Sequence, residues 1–340
     1  MTTTSLRLYL DATCLAHEVP VGFPERPQRV RSILDRFVGS RTGPAPDGSP
    51  DDLDEPIPDP LEDRLEVLES ASAAFEGDLD AAIEAVHPAT YLARFRAAVE
   101  RGDGLFESAD NPLSPGTRAA VEEATAMALA AVEWVRGAAG RKAFVAGRPP
   151  GHHASSERAM GFCYLNPVAI AARAAQRAGA QRVAIVDFDV HHGNGTQDIF
   201  ERDGEVFFAS LHQAPFYPGT GAASERGIGD GLGATLNVPM AAGTGDQVWL
   251  EAFDREVGPA LDDFAPQALL VSAGFDAWRG DPLGGVLLED DAFRGFGERL
   301  AAVAERHCEG QLVSLLEGGY DVVALPRLVA SYLEGLAGSS

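Results

Sequence analysis

Four short stretches of this sequence concentrate side chains that can bind a cation or carry a proton. In DFDVHH, Asp187, Asp189 and His191 alternate with Phe188 and Val190. On an extended backbone the three polar residues would point to one side and the apolar pair to the other. Asp276 closes a second stretch, LLVSAGFD. Asp189, His191 and Asp276 together would make a three-ligand set of the kind found in catalytic zinc sites, which leave a position for water. Alone, Asp-x-Asp-x-His is as readily a hydrogen-bonded turn; the other clusters weigh against that. The third stretch, RPPGHH, ends on His152 and His153. Adjacent imidazoles suit proton transfer near neutral pH, and the apolar flanks AFVAG and MGFCYL predict a partly buried pair. The fourth is Glu317-Gly318-Gly319-Tyr320. A phenol after a flexible turn can donate to a developing oxyanion, or simply cover the end of a sheet. Phe162, in GFCYLN, and Phe216-Tyr217 could wall a narrow apolar pocket, although aromatic residues more often fill a core.

The elements that must position these groups follow a repeating pattern. Strands are predicted over 143–147, 183–188, 206–211, 234–238, 268–273 and 312–316, and helices over 166–178, 196–202, 246–263 and 290–306. Earlier in the chain a strand is expected at 6–10 and helices at 27–37, 80–100 and 117–136. Uniformly apolar strands separated by helices predict an α/β fold with a parallel sheet covered on both faces. Ligands of such sheets bind outside the carboxyl ends of the strands. Each of the four polar stretches follows one of these strands, so all four should meet in one crevice.

Composition narrows the function. The chain has 340 residues, 45% of them hydrophobic, and is read as a single domain over 1–340. Segment 42–63 holds six Pro, eight Asp or Glu and no basic residue; it reads as a surface loop, because too little chain precedes it to make a domain. Lys and Arg number 27 and Asp and Glu 51, a net charge of −24, and Lys142 is the one lysine. So acidic a chain should bind neither nucleic acid nor an anionic membrane, and should attract cations such as a lysine-rich tail or a polyamine. Solubility explains the same acidity equally well. Cys14, Cys163 and Cys308 form no C-x-x-C pair, which excludes a disulfide framework and a zinc finger and suits a reducing cytoplasm. No secretory signal and no apolar run of membrane-spanning length is present. The Gly-x-Ser-x-Gly elbow, the P-loop, a dinucleotide glycine fingerprint and His-Glu-x-x-His are absent.

The segments RPPGHH, GFCYLN, VDFDVHHGNGTQDIF, YPGTGAASERGIGDGLG, VSAGFDAWRGDPLGG and LLEGGYD together resemble the zinc-dependent histone deacetylase family. The wording is closest to its class II-like bacterial members and to the acetylpolyamine amidohydrolases. The likeness is strong over 143–335, and FPERPQRV at 23–30 resembles the family's His-Pro-Glu-Arg-Pro segment with Phe23 in place of histidine. The resemblance implies the arginase–deacetylase fold, a three-layer sandwich around a mostly parallel sheet of about eight strands. It assigns zinc, with ferrous iron also compatible, to Asp189, His191 and Asp276. His153 matches the general base and acid, His152 its electrostatic partner, Asp187 the carboxylate supporting it, and Tyr320 the oxyanion donor. Asn194 stands where class II-like members carry Asn. A structural potassium ion is implied at Asp187, Asp189, His191, Ser210 and Leu211. Gly161, Phe162, Tyr217 and Leu283 match the walls of an acyl-lysine tunnel, Asp110 its rim carboxylate, and Arg26 the arginine of an internal channel.

The chemistry so implied is metal-assisted amide hydrolysis that releases acetate and a free amine. Three readings follow: a deacetylase of acetyl-lysine in proteins or peptides, a deacetylase of acetylpolyamines or other small amines, and a non-catalytic acyl-lysine binding module. The complete ligand set and Tyr320 count against the third. The sequence leaves open the substrate, the preferred acyl length, the native metal and the oligomeric state.

Overall fold

The computed structural model describes residues 5–39, 61, 64–69 and 75–338. The acidic segment 42–63 lies outside the described residues apart from Leu61, which is buried. The described strands are β1 (Leu6–Leu10), β2 (Leu65–Glu69), β3 (Leu105–Phe106), β4 (Ser108–Pro112), β5 (Lys142–Val145), β6 (Val183–Asp187), β7 (Val206–Gln213), β8 (Thr235–Met240), β9 (Ala268–Ala273) and β10 (Leu312–Leu316). Eight of them form one sheet in the order β2-β1-β5-β10-β9-β6-β7-β8. Every neighbouring pair in it is parallel, so the sheet is wholly rather than mostly parallel. β3 and β4 make a separate antiparallel hairpin.

This strand order brings the polar stretches together. The strands that precede them, β5, β10, β9 and β6, are consecutive at the centre of the sheet. All run the same way, so their carboxyl ends open on one edge. Their ends are also level: Leu316 pairs with Ala273, and Ser272 with Asp187. Every residue of β6, β9 and β10 is buried, because both faces of the sheet are covered.

The described helices are α1 (Gln28–Val38), α2 (Leu79–Glu84), α3 (Ala89–Arg101), α4 (Thr117–Arg136), α5 (Pro167–Arg177), α6 (Asn194–Phe200), α7 (Asp246–Ala252), α8 (Gly258–Phe264), α9 (Asp290–His307) and α10 (Leu325–Ala337). Adjacent residues of β5 show the two layers. The Phe144 ring lies 6.0 Å from that of Tyr332 on α10, whereas Val145 shares a small cavity with Ala124 on α4. α5 packs beside α4 on one face; α1 and α9 pack beside α10 on the other.

Two helices expected as continuous are interrupted. The stretch 80–100 breaks into α2 and α3 at His87-Pro88, since proline disfavours helical geometry in the residue before it. The stretch 246–263 widens into a π turn over Phe253–Val257. Pro259 follows, and it has no N–H to give to the carbonyl four residues back, so the regular ladder cannot pass through. β2, the β3–β4 hairpin and α10 add to the expected elements.

Candidate active site

The ends of β6 and β9 bring Asp189, His191 and Asp276 together. One donor atom from each lies within 4.8 Å of the others, and all three residues are buried. His191 Nδ1 stands 3.1 Å from Asp189 Oδ1 and 3.0 Å from Asp276 Oδ2. The other oxygens are oriented by backbone: Asp189 Oδ2 accepts the Gly318 N–H at 2.7 Å, and Asp276 Oδ1 accepts the Val190 N–H at 2.9 Å. Burial pulls the His191 imidazole down, but its hydrogen bonds to the two carboxylates overcome this and raise its pKa to about 10. The trio thus demands positive charge. A Cβ at Gly318 would collide with both carboxylates and one at Gly274 with Asp189, so glycine keeps the space around the donors. Two carboxylates and an imidazole, buried and this close, fit a divalent transition metal.

Two neighbouring imidazoles receive opposite environments. His152 Nδ1 donates to Asp187 Oδ2 at 2.9 Å. Burial disfavours its charged form, but Asp187, Asp189 and Glu317 outweigh that and hold the imidazolium. His153 lies alongside, with ring centroids 4.0 Å apart. Its Nδ1 donates to Asn194 Oδ1 at 2.7 Å, which leaves Nε2 as the acceptor nitrogen. Burial, then the positive charges of His152 and His191, push His153 well below its ordinary value. Asn194 is the first residue of α6, two residues earlier than the helix expected at 196–202.

Glu317, whose role no residue pattern indicated, organises this corner. Its Oε2 accepts the N–H groups of Gly151 and His152 at 2.7 and 3.1 Å, and its Oε1 accepts Ser272 Oγ at 3.2 Å. One buried carboxylate therefore ties the ends of β5, β9 and β10.

A cavity of about 550 Å³ is lined by His153, His191 and Tyr320 together with Asp110, Gly161, Phe162, Tyr217 and Leu283. Phe216, Pro282, Gly284 and Gly285 complete its lining. Phe216 lies nearly parallel to the His191 ring at 5.2 Å, and Phe162 meets Tyr320 edge-on at 5.9 Å. Burial and Asp276 push the Tyr320 phenol well above its ordinary pKa, so it stays a donor. Phe162 is held in an uncommon conformation. Gly161 and Phe162 have φ of 54° and 70°, and Met160 and Cys163 exchange backbone hydrogen bonds across them. An L residue avoids this left-handed region. Asn111 overcomes the preference: its Oδ1 accepts the Phe162 N–H at 2.9 Å and its Nδ2 donates to the Cys163 carbonyl at 3.3 Å. Asp110 Oδ2 accepts the Gly161 N–H at 3.3 Å and the Tyr217 hydroxyl at 3.2 Å. A Cβ at Gly161 would strike the His153 ring, which explains the glycine.

Arg26, expected at an internal channel, is only half-buried. The buried guanidinium of α1 is Arg29, one helical turn on. It donates to the Gly319 carbonyl at 2.6 Å and to the Glu317 carbonyl, and its Nη1 lies 3.2 Å from Glu25 Oε1. Arg148 pairs with the same Glu25 through both oxygens at 2.8 Å. Ser210 and Leu211 are buried on β7; Ser210 is the register partner of Asp187, and its hydroxyl meets His212 Nδ1 at 3.0 Å.

Residues 24–336 match the histone deacetylase domain family. The chain belongs to the histone deacetylase family. Within it, the histone deacetylase-like amidohydrolase of Pseudomonas aeruginosa is 41% identical over 273 residues, covering 80% of this chain and 70% of that protein. A crystal structure of the HDA15 HD domain superposes with a TM-score of 0.84 at 32% identity, covering 99% of this chain and 90% of that one. An acetylpolyamine aminohydrolase from Burkholderia pseudomallei gives 0.78 at 31% identity, covering 97% and 98%. The arginase–deacetylase α/β fold and membership among the deacetylases and amidohydrolases follow from these likenesses. Among the described residues no helix is long and apolar enough to cross a membrane.

Proposed function

We propose that this histone deacetylase family member hydrolyses acetyl and other acyl amides of lysine side chains or similar amines, using zinc or ferrous iron held by Asp189, His191 and Asp276. The carrying observation is that these donors, His153 and Tyr320 meet at one aromatic-walled cavity. A divalent metal, when bound, polarises the acyl carbonyl and lowers the pKa of water. His153, neutral and with Nε2 free, takes the proton of the attacking water and returns it to the leaving amine. His152 keeps its own proton through Asp187 and so holds positive charge beside the base. A neutral Asn194 leaves His153 less basic than a carboxylate would. The Tyr320 hydroxyl donates to the carbonyl oxygen as it gains charge.

Phe162, Tyr217 and Leu283 flank the alkyl chain of the substrate and exclude water, while Asp110 accepts an N–H at the rim. Potassium is proposed at Asp187, Asp189, His191, Ser210 and Leu211; the buried register pairing of Asp187 with Ser210 supports it. Residues 1–340 are read as one deacetylase domain acting in the cytoplasm, a reading supported by three free, buried cysteines. Acetylpolyamines are the second substrate class; the net charge of −24 suits a cationic substrate of either class. The test is a panel of acetyl-lysine peptides, acetylputrescine, acetylspermidine and longer acyl-lysines, with metal content measured alongside. Turnover lost on chelation and restored by zinc or ferrous iron is the expected result. Bound metal without turnover of any member would leave the binding module instead.

A further inference from the structure

We infer that Asp281 is the positioning residue for the oxyanion donor: one buried carboxylate that fastens Tyr320 to the cavity wall at Leu283. The inference rests on the proposed role of Tyr320. Asp281 Oδ2 accepts the Tyr320 N–H at 2.6 Å and the Asp321 N–H at 3.3 Å, and Oδ1 accepts the Leu283 N–H at 2.9 Å. Its two oxygens therefore span two loops, one after β9 and one after β10.

The turn needs an external anchor. Gly318-Gly319 has little stiffness of its own, and Gly319 sits at φ 115°, where only glycine is comfortable. The structure holds it at four points, one of them the Gly318 carbonyl, which accepts the Phe275 N–H at 3.0 Å. Gly318 N–H goes to Asp189, the Gly319 carbonyl accepts from Arg29, and Tyr320 N–H goes to Asp281. Of these anchors, Asp281 grips the donor residue itself and also a residue lining the cavity. A hydroxyl at the far end of a tyrosine magnifies any backbone drift, and a 1 Å misplacement of a reacting group can cost ~10²-fold in rate. Asp281 touches no reacting atom; it acts through Tyr320.

A double-mutant cycle of Asp281→Asn and Tyr320→Phe separates positioning from general support. Asparagine keeps the size but turns one acceptor oxygen into an NH₂ that must face a backbone N–H. Asp281→Asn should lower kcat by ~10-fold or more, with KM within about threefold and metal content unchanged. In the Tyr320→Phe background the same change should cost less than about threefold, because the group it positions is gone. Losses that multiply in the double variant would overturn the inference, as would Asp281→Asn retaining more than half of kcat. If Tyr320→Phe alone leaves kcat intact, the donor reading itself falls and takes this role with it. Should Asp281→Asn fail to fold, Asp281→Ser, which keeps a hydroxyl acceptor and admits water, goes through the same cycle with the same criteria.

Discussion

His87 is where pH should act most directly on the fold. The residue is fully buried, and both ring nitrogens are committed: Nδ1 donates to the Ser156 carbonyl at 3.1 Å, and Nε2 accepts the Asn166 N–H at 2.9 Å. A second proton would set Nε2–H against N–H. Burial accordingly drives the pKa from 6.5 down to about 4. In the unfolded chain the ordinary value near 6.5 returns. Above pH 6.5 neither state is protonated, and the native state has its full stability. Between 6.5 and 4 only the unfolded state takes the proton, so stability falls as pH drops and levels off below about 4. At about 1.4 kcal/mol per pH unit, that fall amounts to roughly 3 kcal/mol. His17, His192 and His212 are lowered by burial too and act in the same direction, whereas burial raises Asp187 and Asp281 to about 7 and these act in the opposite one, so a single-residue variant is needed to read His87. His87→Gln isolates the one group, since an amide can donate and accept but does not titrate. The variant should be less stable at pH 7.5, by about 1–2 kcal/mol for an imperfect pair of hydrogen bonds. Urea unfolding at pH 7.5, 6.0 and 4.5 should then show the difference moving by about 2–3 kcal/mol in the variant's favour, so that the deficit closes and His87→Gln becomes the more stable form at pH 4.5. A deficit constant within about 0.5 kcal/mol across that range would refute a neutral, pH-locked His87.

Three further outcomes test the site. Asp276→Ala should lose most of its metal and all measurable turnover yet remain folded; wild-type metal stoichiometry would remove Asp276 from the ligand set. Tyr320→Phe keeps the ring and should cost ~10²–10³-fold in kcat with little change in KM; a variant retaining more than about a third of kcat would make the ring structural. If the net charge of −24 steers substrate, kcat/KM for a cationic acyl-amine should fall as salt rises, and that for a neutral acyl-amide should fall less. Equal salt dependence for the two substrates would leave the acidity to solubility.

The four polar stretches and their strands were legible because buried parallel strands are uniformly apolar and each stretch begins where such a run ends. That they share one edge depends on strand order, with β10 and β9 inserted between β5 and β6, and no local pattern encodes that. β2 escaped because its residues are half-buried at the sheet edge and carry two Glu among three apolar residues. α10 was readable: Pro326 stands in its first turn, and ten of its residues are buried in a 13-residue stretch. Arg29 could not be told from Arg26 by motif. Both lie within FPERPQRV, Arg26 just before α1 and Arg29 in its first turn, and only the packing of that turn decides which guanidinium is turned inward. Asn111 and Asp281 act through backbone N–H and carbonyl groups, whose positions a residue pattern does not reveal.

The histidine pair shows what that hidden layer contributes. His152 and His153 are identical in type and adjacent in sequence, and both are buried, so neither composition nor burial separates them. Their partners do. Asp187 carries charge and Asn194 none, so the same desolvation leaves one ring positive and the other neutral. Those partners come from opposite sides of the Asp189-His191 turn: Asp187 closes β6 and Asn194 opens α6. Gly193 lies between, where a Cβ would collide with Asp187 Oδ2. The short loop that presents Asp189 and His191 thus also sets the protonation of both imidazoles. Lengthening it by one residue should disturb acid–base chemistry and metal binding together, because the fold offers no way to move one without the other.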